Sequence, residues 1–224
     1  MKRKLYDKLL AWKESPYRKP LIIKGARQVG KTYLAEEFGK KEYEDMIVLN
    51  CDKDKRIAGI FKGGFQTEKI ISDIEILTGK KIIPGKTLLF IDEAGDVPET
   101  ISSLKYFCED APEYHIILAG SLLGLAIHKG SSFPVGKVDE LDLYPLSFEE
   151  FLLESRGESA VDKLRNGSLE DLSSLKSVFE EELRKYYFTG GMPEVVHGFL
   201  NGRDYKELRD IQKRILADYS LDIS

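Results

Sequence analysis

The feature that most constrains the fold is a glycine-rich segment near the N-terminus, within the stretch KPLIIKGARQVGKTYLAEEFGKK. Gly25 and Gly30 are separated by four residues, and Lys31 and Thr32 follow directly, which is the spacing of a P-loop. Residues 21–23 are apolar and predict a short strand that leads into the loop. A strand, a glycine loop and a helix in this order indicate an α/β protein with a parallel sheet.

The residue types in this loop suit the binding of phosphate. Glycines allow the backbone N–H groups to turn inward on an anion, and the positive end of the following helix points at the same place. Lys31 would reach the β- and γ-phosphates as a positive charge, and the Thr32 hydroxyl would ligate Mg²⁺. The predicted phosphate-binding residues are Gly25, Ala26, Arg27, Gln28, Val29, Gly30, Lys31 and Thr32.

A second Gly-Lys-Thr, at Gly85, Lys86 and Thr87, does not meet the requirements of a P-loop. No glycine stands five positions before Gly85, and the apolar run at 88–91 predicts a buried strand where a P-loop needs a helix. We therefore interpret this tripeptide as a turn before a strand.

Two adjacent carboxylates end the strand predicted after that turn. Asp92 stands where P-loop proteins carry the acidic residue that holds the water shell of Mg²⁺. Glu93, one residue further on, would be placed to accept a proton from the attacking water. The alternative is that Glu93 is a solvated charge at the start of a loop. After an apolar strand and a P-loop we favour the catalytic interpretation.

Several segments together resemble the predicted bacterial and archaeal AAA+ ATPases. These segments are GARQVGKT, LLFIDEA, ILAGSLLGL, LDLYPLSFEEFL and YFTGGMPEVV, and the resemblance runs from about Leu5 to the last residues. It implies an ATP-hydrolysing core of five parallel strands, followed by a helical lid. Members of this family usually continue into an uncharacterised C-terminal domain that resembles restriction endonucleases.

The resemblance also implies roles for residues outside the P-loop. A polar residue after the fourth strand senses the γ-phosphate in such proteins, which makes Ser121 the candidate, although a Gly-Ser turn explains it almost as well. Pro193 lies in a Gly-x-Pro segment that resembles a lid motif near adenine. The family usually shows Gly-Arg before the fifth strand, whereas this chain has Gly136 and Lys137. Lysine lacks the planar fork of arginine, so an arginine finger is unassigned.

Strand and helix patterns alternate through the first two thirds of the chain. This alternation predicts an α/β fold with a parallel sheet and helices on both faces. With the resemblance, the prediction becomes a five-stranded parallel P-loop sheet of the AAA+ type followed by an all-helical lid. The ATPase core would span residues 1–145 and the lid 146–224, with a further C-terminal domain expected beyond. The predicted strands are 21–24, 46–50, 87–91, 114–119 and 138–143.

Local signals divide the predicted lid. Ser147 and Glu150 have the spacing of a capping box at a helix start. Residues 154–173 are polar and contain glycine, which predicts a connector with at most a short helix. Gly190 and Gly191 predict the end of one helix, and Pro193 suits the first turn of the next. Similarly, Gly39 predicts the end of the helix that follows the P-loop.

Composition and charge limit the kinds of partner that this protein is expected to have. The chain has 224 residues, of which 42% are hydrophobic and 32% charged, enough for a substantial core. Its longest apolar stretch is shorter than the roughly 20 residues of a membrane span, and no export signal is visible, so we expect a cytoplasmic protein without a membrane. The first 41 residues carry 12 Lys and Arg against 4 Asp and Glu. A solvated helix face is a better interpretation of this block than a nucleic-acid patch.

The sequence thus predicts a switch that binds ATP and Mg²⁺, hydrolyses ATP with Glu93 as base, and moves a helical lid. The alternative is a regulatory module that binds the nucleotide and hydrolyses it little or not at all. The partner on which either would act, a protein or a nucleic acid, is not predicted, and assembly into a homo-oligomer is left open.

Overall fold

The computed structural model describes residues 1–120 and 133–223, with side chains as far as Ser220. The chain forms two compact units, which we call the sheet unit and the helical unit. The sheet unit comprises residues 5–26 and 30–143, and the helical unit comprises residues 1–4, 27–29 and 144–224.

The sheet unit is built on five strands that all run parallel, in the order β2-β3-β4-β1-β5. This confirms the predicted fold class. Strands β3 and β4 are buried along their whole length, because helices cover both of their faces. Strand β5 lies at an edge and is polar. The strands are β1 Leu21–Lys24, β2 Asp45–Asn50, β3 Thr87–Asp92, β4 His115–Ala119 and β5 Asp139–Asp142.

Helices pack on the two faces of this sheet. Alternate strand residues such as Leu89 and Leu118 form one hydrophobic core with apolar side chains of α3, α4 and α5, while α2 contacts β2, β3 and β4. Helix α1 buries the predicted stripe Leu5, Leu9 and Trp12. These helices are α1 Leu5–Glu14, α2 Lys31–Glu42, α3 Arg56–Lys62, α4 Thr67–Thr78 and α5 Pro98–Asp110, and a 3₁₀ turn spans Ala94–Asp96.

The prediction that Gly39 ends α2 is wrong. Gly39 is buried inside the helix, which continues to Glu42. A Cβ at Gly39 would stand 2.4 Å from the sulfur of Met46 and 3.1 Å from a methyl group of Leu88. The glycine is therefore explained by the close approach of α2 to the sheet, and its conformational freedom is not needed.

The second Gly-Lys-Thr is a turn, as predicted. Gly85 has a φ of 70°, which favours glycine, and its N–H donates to the carbonyl of Glu113 at 3.1 Å. Lys86 is paired with Glu44 at 2.9 Å, and both side chains are exposed. The strand β3 begins at Thr87, directly after the turn.

A cluster of rings surrounds His115 at the start of β4. Its Nδ1 lies 2.7 Å from the Tyr43 hydroxyl, and the rings of Tyr43 and Trp12 meet the imidazole edge to face. The ammonium of Lys13 lies over the Tyr43 ring and the guanidinium of Arg18 over the Trp12 ring. Burial, with the positive charges of Arg18 and Lys13, lowers the pKa of His115 to about 4.

The helical unit contains the predicted capping box. Ser147 accepts from the N–H of Glu150, and the Glu150 carboxylate accepts from the N–H of Ser147. Two small hydrophobic cores hold the unit together, one around Phe151 and Val196 and one around Leu208. Its helices are α6 Phe148–Arg156, α7 Glu158–Asn166, α8 Leu169–Ser174, α9 Lys176–Thr189, α10 Pro193–Leu200 and α11 Tyr205–Ile223.

Residues 154–173 differ from the predicted connector, because most of them are helical. Helix α7 follows α6 after the single residue Gly157, and α8 begins with a second capping box between Ser168 and Asp171. Val161 is a buried apolar residue of α7. Caps and ion pairs such as Lys163 with Asp171 stabilise these polar helices, which lack the wide apolar stripe that sequence patterns detect.

The two glycines before α10 end α9 as predicted, and one of them has a further role. Gly190 has a φ of 66° and caps α9, and Pro193 is in the first turn of α10. A Cβ at Gly191 would stand 2.1 Å from the carbonyl oxygen of Leu146, and the N–H of Leu146 donates to the carbonyl of Gly191 at 2.7 Å. Gly191 therefore allows two backbone segments to approach closely.

No helix among the described residues combines the length and the apolar composition that crossing a bilayer would require.

Candidate functional site

The predicted phosphate-binding loop joins β1 to α2, and its backbone has an unusual conformation. Gly25 and Gly30 have φ values of 154° and 95°, and Gln28 has a φ of 63°. Positive φ is unfavourable for a residue with a Cβ, so Gln28 is held by its surroundings. Left-handed residues in a loop allow backbone N–H groups to converge on an anion, which is the arrangement that a phosphate-binding loop needs.

Lys31 begins α2 and is only 7% exposed. Its ammonium donates to the carbonyls of Gly25 and Ala26 at 2.8 and 2.7 Å, so the side chain bends back over the start of the loop. Burial of an ammonium requires such partners. The lysine charge is therefore held at the loop, and its role toward phosphate stays a prediction.

Thr32 and Asp92 are neighbours in the sheet unit. The Thr32 hydroxyl lies 3.2 and 3.1 Å from the two carboxylate oxygens of Asp92, which is 5% exposed at the end of β3. Asn50 also donates its side-chain amide to Asp92 at 3.2 Å. Asn50 was not among the predicted site residues. It ends β2 directly opposite Asp92, and a polar residue at the end of a neighbouring strand was the available signal.

Glu93 has a left-handed backbone conformation, with φ 49° and ψ 43°. Among the described residues, Gln28 and Glu93 are the two that have positive φ without being glycine, and both belong to the predicted site. Such strain costs of order 1–3 kcal/mol and concentrates at functional sites. The left-handed residue turns the chain sharply between β3 and the 3₁₀ turn.

Several carboxylates at the end of β3 surround a buried thiol. Burial, and then the negative charges of Asp96, Asp92 and Glu93, raise the pKa of Cys51 to about 12. Cys51 is 1% exposed, and its N–H donates to the carbonyl of Asp92 at 3.0 Å. The thiol remains protonated at neutral pH, while the three carboxylates concentrate negative charge beside it.

Two further positions come from the family resemblance, the candidate Ser121 and the departure at Lys137. Ser121 lies outside the described residues. Lys137, at the position where the resembling family usually has arginine, is paired with Glu109 of α5 at 2.9 Å. This contact raises the pKa of Lys137, so its charge is retained and is directed at α5.

The helical unit contains Pro193 and also residues that the sequence analysis did not select. Within this unit the Tyr219 hydroxyl donates to the carbonyl of Arg27 at 2.6 Å and lies 4.0 Å from the sulfur of Met192, the residue before Pro193. Arg3 is 8% exposed and donates to the carbonyl of Val29 at 2.9 Å. No local sequence pattern indicates that Arg3 and Tyr219 contact the loop, because their partners are distant in sequence.

No group of three or more His, Cys, Asp and Glu side chains in residues 1–120 and 133–223 is arranged to hold a metal ion. Any ion at the carboxyl end of β3 would therefore depend on hydroxyl, amide, water or substrate oxygens in addition to Asp92.

Comparisons with known proteins agree with this arrangement. Residues 17–152 match the family described as AAA domain. A solved Walker-type ATPase of Pyrococcus abyssi is 17% identical with a TM-score of 0.57, over 99% of this chain and 75% of that one. A STAND signal transduction ATPase with a tetratricopeptide repeat sensor from Pyrococcus horikoshii is 15% identical with a TM-score of 0.49, over 94% and 32% of the two chains. No curated protein matches the sequence.

The match to the AAA domain covers more than half of the chain and includes the P-loop, Asp92 and the whole sheet. The fold and the candidate site thus define a P-loop protein with a five-stranded parallel sheet. This chain belongs to the AAA domain family.

Proposed function

We propose that this protein binds ATP with Mg²⁺ at the loop 25–32 and hydrolyses it. The observation that carries the proposal is the juxtaposition of Thr32 and Asp92, whose oxygens are 3.1 and 3.2 Å apart beside the buried ammonium of Lys31. A phosphate-binding loop, a lysine and two hard oxygen ligands at one sheet edge are the parts that P-loop chemistry needs.

The donor set fits Mg²⁺. The Thr32 hydroxyl and the Asp92 carboxylate would hold the ion, since both are oxygen ligands of the kind that Mg²⁺ prefers, with water and phosphate oxygens completing the shell. When bound, the ion would neutralise charge that develops on the phosphates. Asn50 donates to one Asp92 oxygen and so orients the carboxylate.

Glu93 would act as the base that takes a proton from the attacking water. Its left-handed backbone turns the chain after Asp92, so that two consecutive carboxylates serve different purposes. Lys31 and the loop N–H groups would stabilise the charge of the transferring phosphoryl group, and the leaving group is ADP. Glu93 then returns the proton to solvent or to phosphate, and no covalent intermediate is needed.

A second candidate function is a regulatory module that binds the nucleotide and hydrolyses it slowly. The pairing of Lys137 with Glu109 favours this alternative, because the residue at the usual arginine position is directed at α5. Without an arginine to stabilise transition-state charge, P-loop proteins can be slower by 10³-fold or more. In both versions the coupling to a C-terminal domain, the role of Pro193 near adenine and self-association rest on the family resemblance.

Substitution of Glu93 tests the proposal directly. Glu93→Gln keeps the shape but cannot accept a proton, so phosphate release should fall about 10²- to 10⁴-fold while ATP binding changes little. Asp92→Asn should instead weaken Mg²⁺-dependent binding together with turnover. Both are measured by steady-state phosphate release and by titration of a fluorescent ATP analogue with and without Mg²⁺.

The exposed Glu113, whose side chain lies away from the end of β3, provides the matched control. Glu113→Gln should release phosphate at the parent rate. If Glu93→Gln does so too, Glu93 is a loop charge and the slowly hydrolysing regulator becomes the better account. If the parent protein binds no nucleotide, both candidate functions are wrong.

A further inference from the structure

Three consecutive residues of the loop, Arg27, Gln28 and Val29, belong to the helical unit, whereas the loop residues on either side belong to the sheet unit. Each of the three has a polar partner in a distant part of the chain. The partners lie in two places, at Arg3 near the N-terminus and at Asp218 and Tyr219 in α11.

The first partner is Tyr219. Its hydroxyl donates to the carbonyl of Arg27 at 2.6 Å, across 192 positions of sequence. In a planar trans peptide the carbonyl and the following N–H point in opposite directions. Because Tyr219 holds the Arg27 carbonyl on its own side, the N–H of Gln28 is turned to the side away from Tyr219.

The second partner is Arg3, which acts on the peptide between Val29 and Gly30. Its guanidinium donates to the carbonyl of Val29 at 2.9 Å, and the same planarity turns the N–H of Gly30 inward. The guanidinium also donates to Glu150 at 3.2 Å and to the carbonyl of Tyr144. Arg3 and Glu150 are both buried, so the donor is fixed in place by a paired charge.

The third partner fixes the side chain between these two peptides. The Gln28 amide donates to the Asp218 carboxylate at 2.8 Å. This contact keeps the Gln28 side chain outside the loop, and it helps to hold the residue at its positive φ of 63°.

We propose that Tyr219 and Arg3 are positioning residues, which aim the N–H groups of Gln28 and Gly30 at the phosphates of the bound nucleotide. This inference rests on the proposed function, since it assumes that the loop binds phosphate. Neither residue touches the nucleotide itself. Both act through a carbonyl on the outer side of the loop, so that the anion-binding conformation exists before the ligand arrives.

The first test removes a single oxygen. Tyr219→Phe keeps the ring that packs beside Ile215 and loses the donor to Arg27. ADP affinity, measured by calorimetry at fixed free Mg²⁺, should fall about three- to tenfold, the equivalent of one hydrogen bond. The amide resonance of Gln28 in the unliganded protein should shift, whereas the melting temperature without ligand should change little.

The matched control is Tyr205→Phe in the same helix, because the Tyr205 side chain is exposed and its ring meets that of Phe188 edge to face. This variant should bind ADP as the parent does and leave the Gln28 resonance in place. Arg3→Lys is a second test, since one ammonium keeps the charge beside Glu150 but cannot also serve Val29. It should weaken ADP binding about tenfold to a hundredfold.

The outcomes separate the two proposals. If the parent protein does not bind ADP or ATP, the proposed function is wrong and this inference is wrong with it. If the parent binds ADP and Tyr219→Phe binds equally well with an unshifted Gln28 resonance, only the positioning role is overturned. Equal losses in Tyr219→Phe and Tyr205→Phe would likewise overturn it, because the Tyr205 ring contacts Phe188 and its side chain is exposed.

Discussion

The stability of the sheet unit should depend on the protonation of one buried imidazole. His115 begins β4 beneath Trp12, and its Nδ1 lies 2.7 Å from the Tyr43 hydroxyl. The charges of Arg18 and Lys13 act on the ring and are both positive, so a proton on His115 would be both buried and repelled. The folded protein therefore keeps this imidazole neutral well below its usual pKa.

The magnitude follows from the difference between the folded and unfolded pKa. The pKa of His115 is about 4 when folded and 6.5 when unfolded. Between these values the unfolded chain binds a proton that the folded chain does not, so the free energy of unfolding falls as pH decreases. Each pH unit is worth about 1.4 kcal/mol, which gives a loss of about 3 kcal/mol between pH 7 and pH 4. A loss of this size is a large fraction of the stability of a typical domain.

Urea unfolding from pH 7 to pH 4 of the parent and of His115→Gln measures this loss. Glutamine can still accept from Tyr43 but does not titrate, so the free energy of unfolding of the variant should fall less steeply over this range. The difference between the two slopes isolates His115 from the carboxylates, provided that the m values agree. Identical slopes, or an imidazole of His115 that titrates near pH 6.5 by NMR, would refute the reasoning.

Two further predictions use paired variants. Mg²⁺-ATP at a hundredfold its dissociation constant should stabilise the parent protein by about 2.7 kcal/mol, or about 5–10 °C in melting temperature. Lys31→Ala should abolish this stabilisation, whereas Lys86→Ala should retain it. Equal losses in a thermal scan would mean that the wrong Gly-Lys-Thr was chosen. Gly191→Ala should destabilise the protein by about 1–3 kcal/mol through its clash with Leu146, while Gly59→Ala, which meets no atom within 4 Å inside α3, should stabilise it by about 0.5–1 kcal/mol. Urea unfolding of both glycine variants checks this, and a stable Gly191→Ala would contradict the close approach described above.

The sheet was predictable because its signals are local. A stretch of a few residues is enough to recognise the P-loop, each apolar strand and Asp92. Their order along the chain then predicts a parallel sheet. The two errors have a common physical origin. Gly39 was taken for a helix end, although its role is to admit Met46, and residues 154–173 were taken for a connector, although caps make them helical. In both cases the deciding contact lies outside the window that a pattern covers.

The missed residues of the candidate site have the same explanation at longer range. Asn50 is 42 positions from Asp92, and Tyr219 is 192 positions from Arg27. A polar residue at a strand end or in a helix is common, and only the folded chain decides which carbonyl or carboxylate it meets. The roles of the P-loop residues, Glu93 and Pro193 therefore stay predictions that need the experiments described above.

The hydrogen bond between Tyr219 and the Arg27 carbonyl also has a consequence for the timing of biosynthesis. The loop is synthesised well before the tyrosine that turns its peptide, which is added 192 residues later. At about 5–20 residues per second, the ribosome needs roughly 10–40 s to cover that distance. During this interval the nascent loop lacks Tyr219, one of the two side chains that donate to its carbonyl groups. We therefore expect the emerging chain to acquire tight nucleotide affinity late, after its sheet has formed.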